Sequence, residues 1–292
     1  MGIIALFGQG IAVTGKKARL LLYLWLIQLL FSLLVVGPFY FLLQKDLSRS
    51  ILGEKMFQGA DMLWLGDLIY KYRDISSLFL GWLLVAAVVY VLLQIFFNGA
   101  ILGRIASADA RLSLASFLAD GGRYFGRFFR VFLLTLVGYL LIFGLFGRLL
   151  SLPFKLWIQS ASTQWTPFYA SSLRLLLFLL LFSIVKMFFD YIKVRLVAED
   201  SRKALRAFLL NFPFLGKKFF RAWALFLLVG VLFVAVTAVY LVLVKWIPAS
   251  GSGALLVLFL WQQAYIVARL GTAILFFSTE YQFFRARQPV QP

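Results

Sequence analysis

Six long apolar runs dominate the chain, and Lys or Arg together with Trp or Tyr bound each of them. The runs cover residues 20–43, 78–100, 131–150, 173–191, 222–246 and 254–273. Each has about the 20 residues that an α-helix, rising about 1.5 Å per residue, needs to cross bilayer hydrocarbon. Nothing alternates with a period of two, as the strands of a membrane barrel do. The pattern predicts an all-α integral membrane protein with six transmembrane helices, forming a single polytopic domain over residues 1–292.

The basic residues between the runs predict how the chain is oriented. With each Lys and Arg assigned to the nearer segment, the two termini and the second and fourth connections hold 20, and the other three connections hold nine. Because an excess of basic residues marks the cytoplasmic side, we expect both termini there. On the outer side, the first connection has apolar residues on one helical face that predict a surface helix: Phe57, Ala60, Trp64 and Leu68.

Short sequence matches indicate an internal repeat of three helical hairpins, with approximate bounds of 1–110, 111–200 and 201–292. The motif FFR at 128–130 recurs at 219–221, and FFN at 96–98 recurs as FFD at 188–190. A weaker match lays 264–269 on 190–195. Taken alone, Arg269 would be a functional candidate, as a charge inside the last span. The match instead places it where the sixth helix leaves the membrane, and residues 274–284 would then continue as an interfacial helix.

Each odd-numbered run follows a segment predicted to be an amphipathic interfacial helix. In the second hairpin Leu114, Phe117 and Phe128 share one face, opposite Arg123 and Arg127. Similar patterns precede the first and fifth runs. The basic residues of these segments are candidate lipid-headgroup contacts, which we call the basic collar: Lys16, Lys17, Arg123, Arg127, Arg130, Lys217, Lys218 and Arg221. The segments either lead each hairpin into the bilayer or gather anionic lipid or a partner protein's amphipathic surface.

Composition narrows the chemistry. The chain is 63% hydrophobic and 14% charged, with too little polar surface for a water-soluble globule. Its net charge of +18 does not indicate nucleic-acid binding, because the bases lie at the ends of apolar runs. There is no Cys or His, so disulfides, imidazole bases and the usual zinc, copper and haem ligand sets are excluded.

No sequence motif supports a catalytic, cofactor or metal site. The segment 10–17 approaches a phosphate-binding loop, but Lys17 stands where the magnesium-binding hydroxyl belongs. Glycines four apart, at 99 and 103, are spaced for close helix packing, whereas the same spacing at 122 and 126 is expected to be incidental. We expect no cofactor.

Polar residues inside the apolar runs form the candidate intramembrane site. Gln94 and Asn98 lie four apart on the second helix, and Lys186 and Asp190 lie four apart at the equivalent positions of the fourth. Two interpretations remain open. The four residues line an inward-facing cavity that binds a headgroup or carries a proton, or they form an interhelical hydrogen-bond cluster that fixes packing.

Three segments carry a family resemblance: 57–67 (FQGADMLWLGD), 117–126 (FLADGGRYFG) and 190–200 (DYIKVRLVAED). The chain resembles a group of uncharacterised bacterial six-span membrane proteins and, more distantly, the membrane domain attached to some glycerophosphodiester phosphodiesterases. The resemblance implies a bacterial inner-membrane location and no known reaction, since this chain has no phosphodiesterase domain.

These observations favour a non-enzymatic membrane module that contacts anionic lipid, a partner membrane or envelope protein, or both. The alternative is a secondary transporter or lipid flippase-like protein that uses the inner polar cluster. Transporters often have broken helices at mid-membrane, whereas the only proline inside an apolar run, Pro38, lies near its outer end. An enzyme acting on lipids is less favoured, because no nucleophile and base lie together.

Overall fold

The computed structural model describes residues 2–47, 70, 73–107, 113–160, 163, 165–247 and 252–287, and their regular structure is entirely helical. A π-helical turn, Ile142–Phe146, joins the fourth helix to the fifth. The helices are α1 (Ile3–Gly15), α2 (Ala18–Leu47), α3 (Arg73–Ala106), α4 (Leu114–Leu141), α5 (Gly147–Gln159), α6 (Thr166–Ala198), α7 (Ala204–Gly216), α8 (Phe219–Val244) and α9 (Ser252–Arg285).

The predicted six-helix membrane architecture is confirmed in the described part of the chain. Six helical stretches are long and apolar enough to cross a membrane: Ala18–Phe41, Ser77–Ala106, Leu114–Gln159, Thr166–Ala198, Phe219–Val244 and Gly253–Arg285. Most of their apolar side chains point outward, which suits a lipid solvent. The surface helix predicted at residues 57–68 lies outside the described residues.

Two short helices precede spanning helices in the same way. α1 ends at Gly15 and α7 ends at Gly216, and in each case two lysines separate the short helix from the spanning helix that follows. The near match to a phosphate-binding loop is therefore helical as far as Gly15, and no loop cradles a phosphate there.

The prediction of a separate interfacial helix before the third span is wrong. α4 runs without a break from Leu114 to Leu141, so the arginines at 123, 127 and 130 belong to the same helix as the span. The helix begins at a capping box, in which Ser113 and Ser116 each bond the other's backbone N–H. No proline or lysine pair interrupts the apolar sequence after it, so the helix continues.

The ends of the two helices do not support the alignment of Arg269 with Arg195. α6 ends at Ala198, three residues past Arg195, whereas α9 ends at Arg285, sixteen residues past Arg269. Arg269 therefore lies near the middle of a continuous helix, because neither a proline nor a cap ends α9 after it.

Contacts divide the chain into two compact units. The first comprises Met1–Lys16, Ile95–Val231 and Ile274–Pro292, and the second comprises Lys17–Gln94 and Leu232–Ala273. In the first unit α6 packs against α4, α5 and α7. In the second unit the indole of Trp25 donates a hydrogen bond to Gln263 Oε1 at 2.9 Å.

Close packing between α3 and α4 depends on small residues. A Cβ placed on Gly99 would lie 3.1 Å from Tyr124 Cβ, and one placed on Gly103 would lie 2.8 Å from Asp120 Cβ. Substituents on Gly122 or Gly126 would meet no atom within 4 Å. The first glycine pair thus allows the helices to approach closely, as its spacing predicts.

Candidate functional site

A carboxylate held between two lysines is the centre of the candidate site. Lys186 Nζ lies 2.6 Å from Asp190 Oδ2, and Lys193 Nζ lies 2.8 Å from Asp190 Oδ1. The spacings of four and three residues along α6 place all three side chains on one face. Asp190 is only 2% exposed. Because both oxygens are bonded, the buried charge of Asp190 is neutralised within its own helix.

Aromatic rings hold the two lysines. Lys186 Nζ lies 5.3 Å from the ring centre of Phe226 and 5.0 Å from that of Phe276, and Lys193 Nζ lies 5.8 Å from that of Phe277. Such cation–π contacts stabilise an ammonium that has left water. The contacts bring α8 and α9 residues to the ion cluster on α6.

Glu280 of α9 is a functional candidate that the sequence analysis missed. Its side chain is 1% exposed, and neither carboxylate oxygen has a hydrogen-bond partner among the described residues. Its charged electrostatic neighbours are Asp190, Lys186 and Lys193. The buried hydroxyl of Tyr191 also has no hydrogen-bond partner among the described residues, and it interacts electrostatically with Glu280. One signal could have found it: no other acidic residue follows Asp200 in the sequence.

The structure brings together half of the predicted polar cluster. Lys186 and Asp190 form an ion pair, but both described bonds of Asp190 go to lysines. Asn98 is half-buried in the first unit and is not among the described partners of Asp190. Gln94 is half-buried in the second unit. The role of the two amides stays a prediction.

Two arginines of the basic collar are already bound within the protein. Arg123 Nη2 lies 2.7 Å from Asp200 Oδ2, and Arg127 Nη1 lies 2.7 Å from Asp200 Oδ1. The side chain of Arg127 is 10% exposed, so it is not available to lipid. The hydrogen bond from Arg127, together with those charges, lowers the pKa of Asp200.

Backbone geometry positions Asp200 for these bonds. α6 ends in a Schellman motif, with the Ser201 N–H bonded to the Leu196 carbonyl and the Asp200 N–H bonded to the Val197 carbonyl. Asp200 consequently has a φ of 44°, in the left-handed region that Asp and Asn tolerate better than most residues.

The other members of the basic collar differ in their exposure and in their contacts within the protein. Arg130 donates to the Arg202 carbonyl, and Lys218 donates to the Arg287 carbonyl. Burial, together with the positive charges of Arg287 and Lys217, lowers the pKa of Lys218. Lys17 is half-buried. Three members are exposed and have no ion pair with a described residue: Lys16, Lys217 and Arg221.

The short helices expose apolar side chains beside these bases. On α7, Leu205, Leu209 and Phe212 are 54–62% exposed, while Asn211 on the opposite face is buried and donates to the Phe188 carbonyl at 2.9 Å. On α1, Ile4 is 83% exposed. Both helices are therefore suited to an apolar environment on their outer face.

A separate cavity occurs in the second unit. It has a volume of about 330 Å³ and is lined by residues of α2, α3 and α9. Its polar lining includes Gln28, Gln263 and the exposed Arg269, and the rest is mostly aliphatic and aromatic.

Comparison with known proteins gives no relative: no family model, no curated protein and no solved structure matches the chain.

Proposed function

We propose that this protein is a non-enzymatic integral membrane module that binds anionic lipid headgroups through its basic collar. The observation that carries the proposal is the exposed apolar face of α7, formed by Leu205, Leu209 and Phe212, with Lys217 exposed at its end. A helix of this kind is stable in the plane of a membrane, with apolar side chains among acyl chains and bases near phosphates.

The location proposed for the module is the cytoplasmic membrane of a bacterium, with both termini inside. The Lys and Arg distribution supports this orientation. The cytoplasmic leaflet carries negative surface potential, and each base near it contributes about 1 kcal/mol of attraction. The free members of the basic collar would therefore lie where anionic lipid is available.

Lipid selectivity tests the proposal. The protein is reconstituted with spin-labelled phosphatidylglycerol or phosphatidylcholine, and electron paramagnetic resonance measures the fraction of each lipid that the protein immobilises. Replacing the three free collar residues together, Lys16→Gln, Lys217→Gln and Arg221→Gln, should lower the preference for phosphatidylglycerol severalfold, given about 1 kcal/mol per base.

The matched control removes three exposed bases elsewhere: Arg148→Gln, Lys155→Gln and Lys245→Gln. It should keep most of the preference. Equal selectivity in the two triple variants would contradict the proposal. If selectivity stays at the level of the unmodified protein while a partner envelope protein is lost from the collar variant, the surface binds protein instead.

A secondary transporter or flippase-like protein is the second candidate, and Glu280 favours it. Glu280 is a buried carboxylate with no hydrogen bond to a described residue, beside two lysines that share Asp190. Ionised Glu280 would balance the second lysine, so loss and uptake of its proton would switch the net charge of the cluster between zero and +1. Infrared difference spectra between pH 5 and pH 8 should show a carboxylic acid band that Glu280→Gln removes and Glu199→Gln keeps. Identical spectra for the two variants would remove the support for this candidate.

A further inference from the structure

Arg269 is a cation without a described counter-ion near the middle of α9. It is exposed, and no described ion pair includes it. The nearest acidic residue along the sequence is Glu280, eleven positions away, which is about three helical turns. Arg269 is the only charged residue of the apolar run 254–273, and an arginine inside an apolar span is costly unless it is paired. An anion supplied from outside the protein would offset that cost.

The cavity beside Arg269 offers hydrogen-bond donors. The Trp25 indole donates to Gln263 Oε1, so the carbonyl side of this amide is occupied and its NH₂ group remains as a donor. The amide of Gln28 also lines the cavity. A guanidinium adds five N–H groups in a planar fork that fits phosphate or carboxylate. The cavity lining thus offers N–H donors and a positive charge but no carboxylate, and this combination favours an anionic ligand.

The remaining walls of the cavity are mostly apolar, and the Ser32 hydroxyl among them donates to the Leu29 carbonyl. Leu29, Val36 and Ile266 line it, and the rings of Phe31 and Tyr90 stack with centres 5.8 Å apart. Water or a small inorganic anion would leave these walls without a contact. A ligand that fits both parts has an anionic head and an apolar chain.

We propose that Arg269, with Gln263 and Gln28, binds the anionic head of one lipid molecule, and that the apolar walls of the cavity hold an acyl chain of that lipid. The inference rests on the proposed function in taking anionic lipid as the ligand class, but it assigns one discrete site, formed by residues that are not part of the basic collar. The phosphate of a phospholipid and the carboxylate of a fatty acid can both accept two parallel hydrogen bonds from the guanidinium of Arg269.

Native mass spectrometry tests this site on the full chain. The detergent-solubilised protein is titrated with dioleoyl phosphatidylglycerol, dioleoyl phosphatidylcholine or oleate, and the affinity of the first bound molecule is measured. Arg269→Gln should weaken binding of the anionic probe about tenfold or more, as expected for loss of a charge-assisted bond. Arg174→Gln, which removes an exposed arginine from α6, is the matched control and should change it little.

Two further variants separate the site from a folding defect. Arg269→Lys keeps the charge without the fork and should bind with intermediate affinity. Gln28→Leu, which breaks no described hydrogen bond, should weaken binding of the anionic probe several-fold at unchanged thermal stability. The probe that responds to these variants, phosphatidylglycerol or oleate, identifies the source of the anion. Equal affinities for Arg269→Gln and Arg174→Gln overturn the inference. The basic-collar variant should keep this first site, so the two proposals fail independently.

Discussion

At the scale of single residues, most acidic side chains of the described residues are neutralised locally, both in the interior, as for Asp190 and Asp120, and at the surface, as for Asp200. Asp190 bonds two lysines, Asp120 bonds Arg104, and Asp200 bonds two arginines. In a low-dielectric interior, removing one partner costs more than the pair itself contributes, because the other charge stays buried. Glu280 has charged neighbours without a described hydrogen bond.

Asp190→Asn should destabilise the protein strongly. Lys186 and Lys193 would lose their shared carboxylate, and breaking a buried pair costs about 3 to 5 kcal/mol. The thermal unfolding midpoint in detergent measures the effect. Glu199→Gln, at the exposed end of the same helix, should change the free energy of unfolding by less than about 1 kcal/mol. An unchanged midpoint would show that the pairing of Asp190 with the two lysines does not stabilise the fold.

Asp200→Asn removes the charge without adding backbone strain, because Asn tolerates the same left-handed conformation. The folded-state pKa of Asp200 is depressed, so its stabilisation is present above the unfolded pKa, about 3.9, and is lost as pH falls through the folded value. Asp200 is half-exposed, which limits the effect to under about 1 kcal/mol. Thermal midpoints should differ at pH 7 and converge only as the pH falls below the depressed folded-state pKa of Asp200. A difference that persists at acid pH would point to another cause.

Sequence reasoning identified the Lys186–Asp190 pair because a spacing of four residues fixes a common helical face. It missed Lys193 as the second partner, since the choice between neighbouring lysines depends on which one the surrounding rings hold. It missed Glu280 because the repeat alignment placed residues 274–284 at the interface, whereas most of that segment is buried within the protein. Burial of that segment depends on contacts with distant parts of the chain.

At the scale of elements, hydropathy predicted the spanning helices, but breaks between helices needed local chemistry. The pattern of a glycine and two lysines ends both α1 and α7. α4 has equally amphipathic sequence before its span and no break. We expect the third repeat to align through the FFS motif at 276–278, since FFN and FFD occupy similar places near the ends of α3 and α6.

Gly103→Ala tests the close approach of α3 and α4. The added methyl group would meet Asp120 Cβ, which cannot move far because Arg104 holds the carboxylate. Overpacking of this kind costs about 1 to 3 kcal/mol, and the thermal midpoint should fall accordingly. Gly122→Ala, in open space, should be neutral or gain up to about 1 kcal/mol of helix propensity. Equal midpoints for the two variants would show that the helices are not in tight contact.

At the scale of the whole molecule, the number of spans follows from apolar length alone, and their orientation rests on the distribution of bases. The chain contains no cysteine, so single cysteines can be introduced without a background signal. A membrane-impermeant maleimide applied to intact cells should label Ser160→Cys, beyond α5, and not Lys217→Cys, between α7 and α8. Labelling of Lys217→Cys from outside would reverse the orientation.

The π-helical turn at Ile142–Phe146 has a geometric consequence for α5. Its wider ring of hydrogen bonds accommodates one residue more than an α-helical turn, so everything after it is rotated by about 100° around the helix axis. This rotation leaves Phe154 buried while Leu152 and Leu156 face outward. Deleting Gly144 alone should turn the segment into an uninterrupted α-helix and leave Phe154 buried, because the deletion removes the one extra residue that the π-helical turn accommodates.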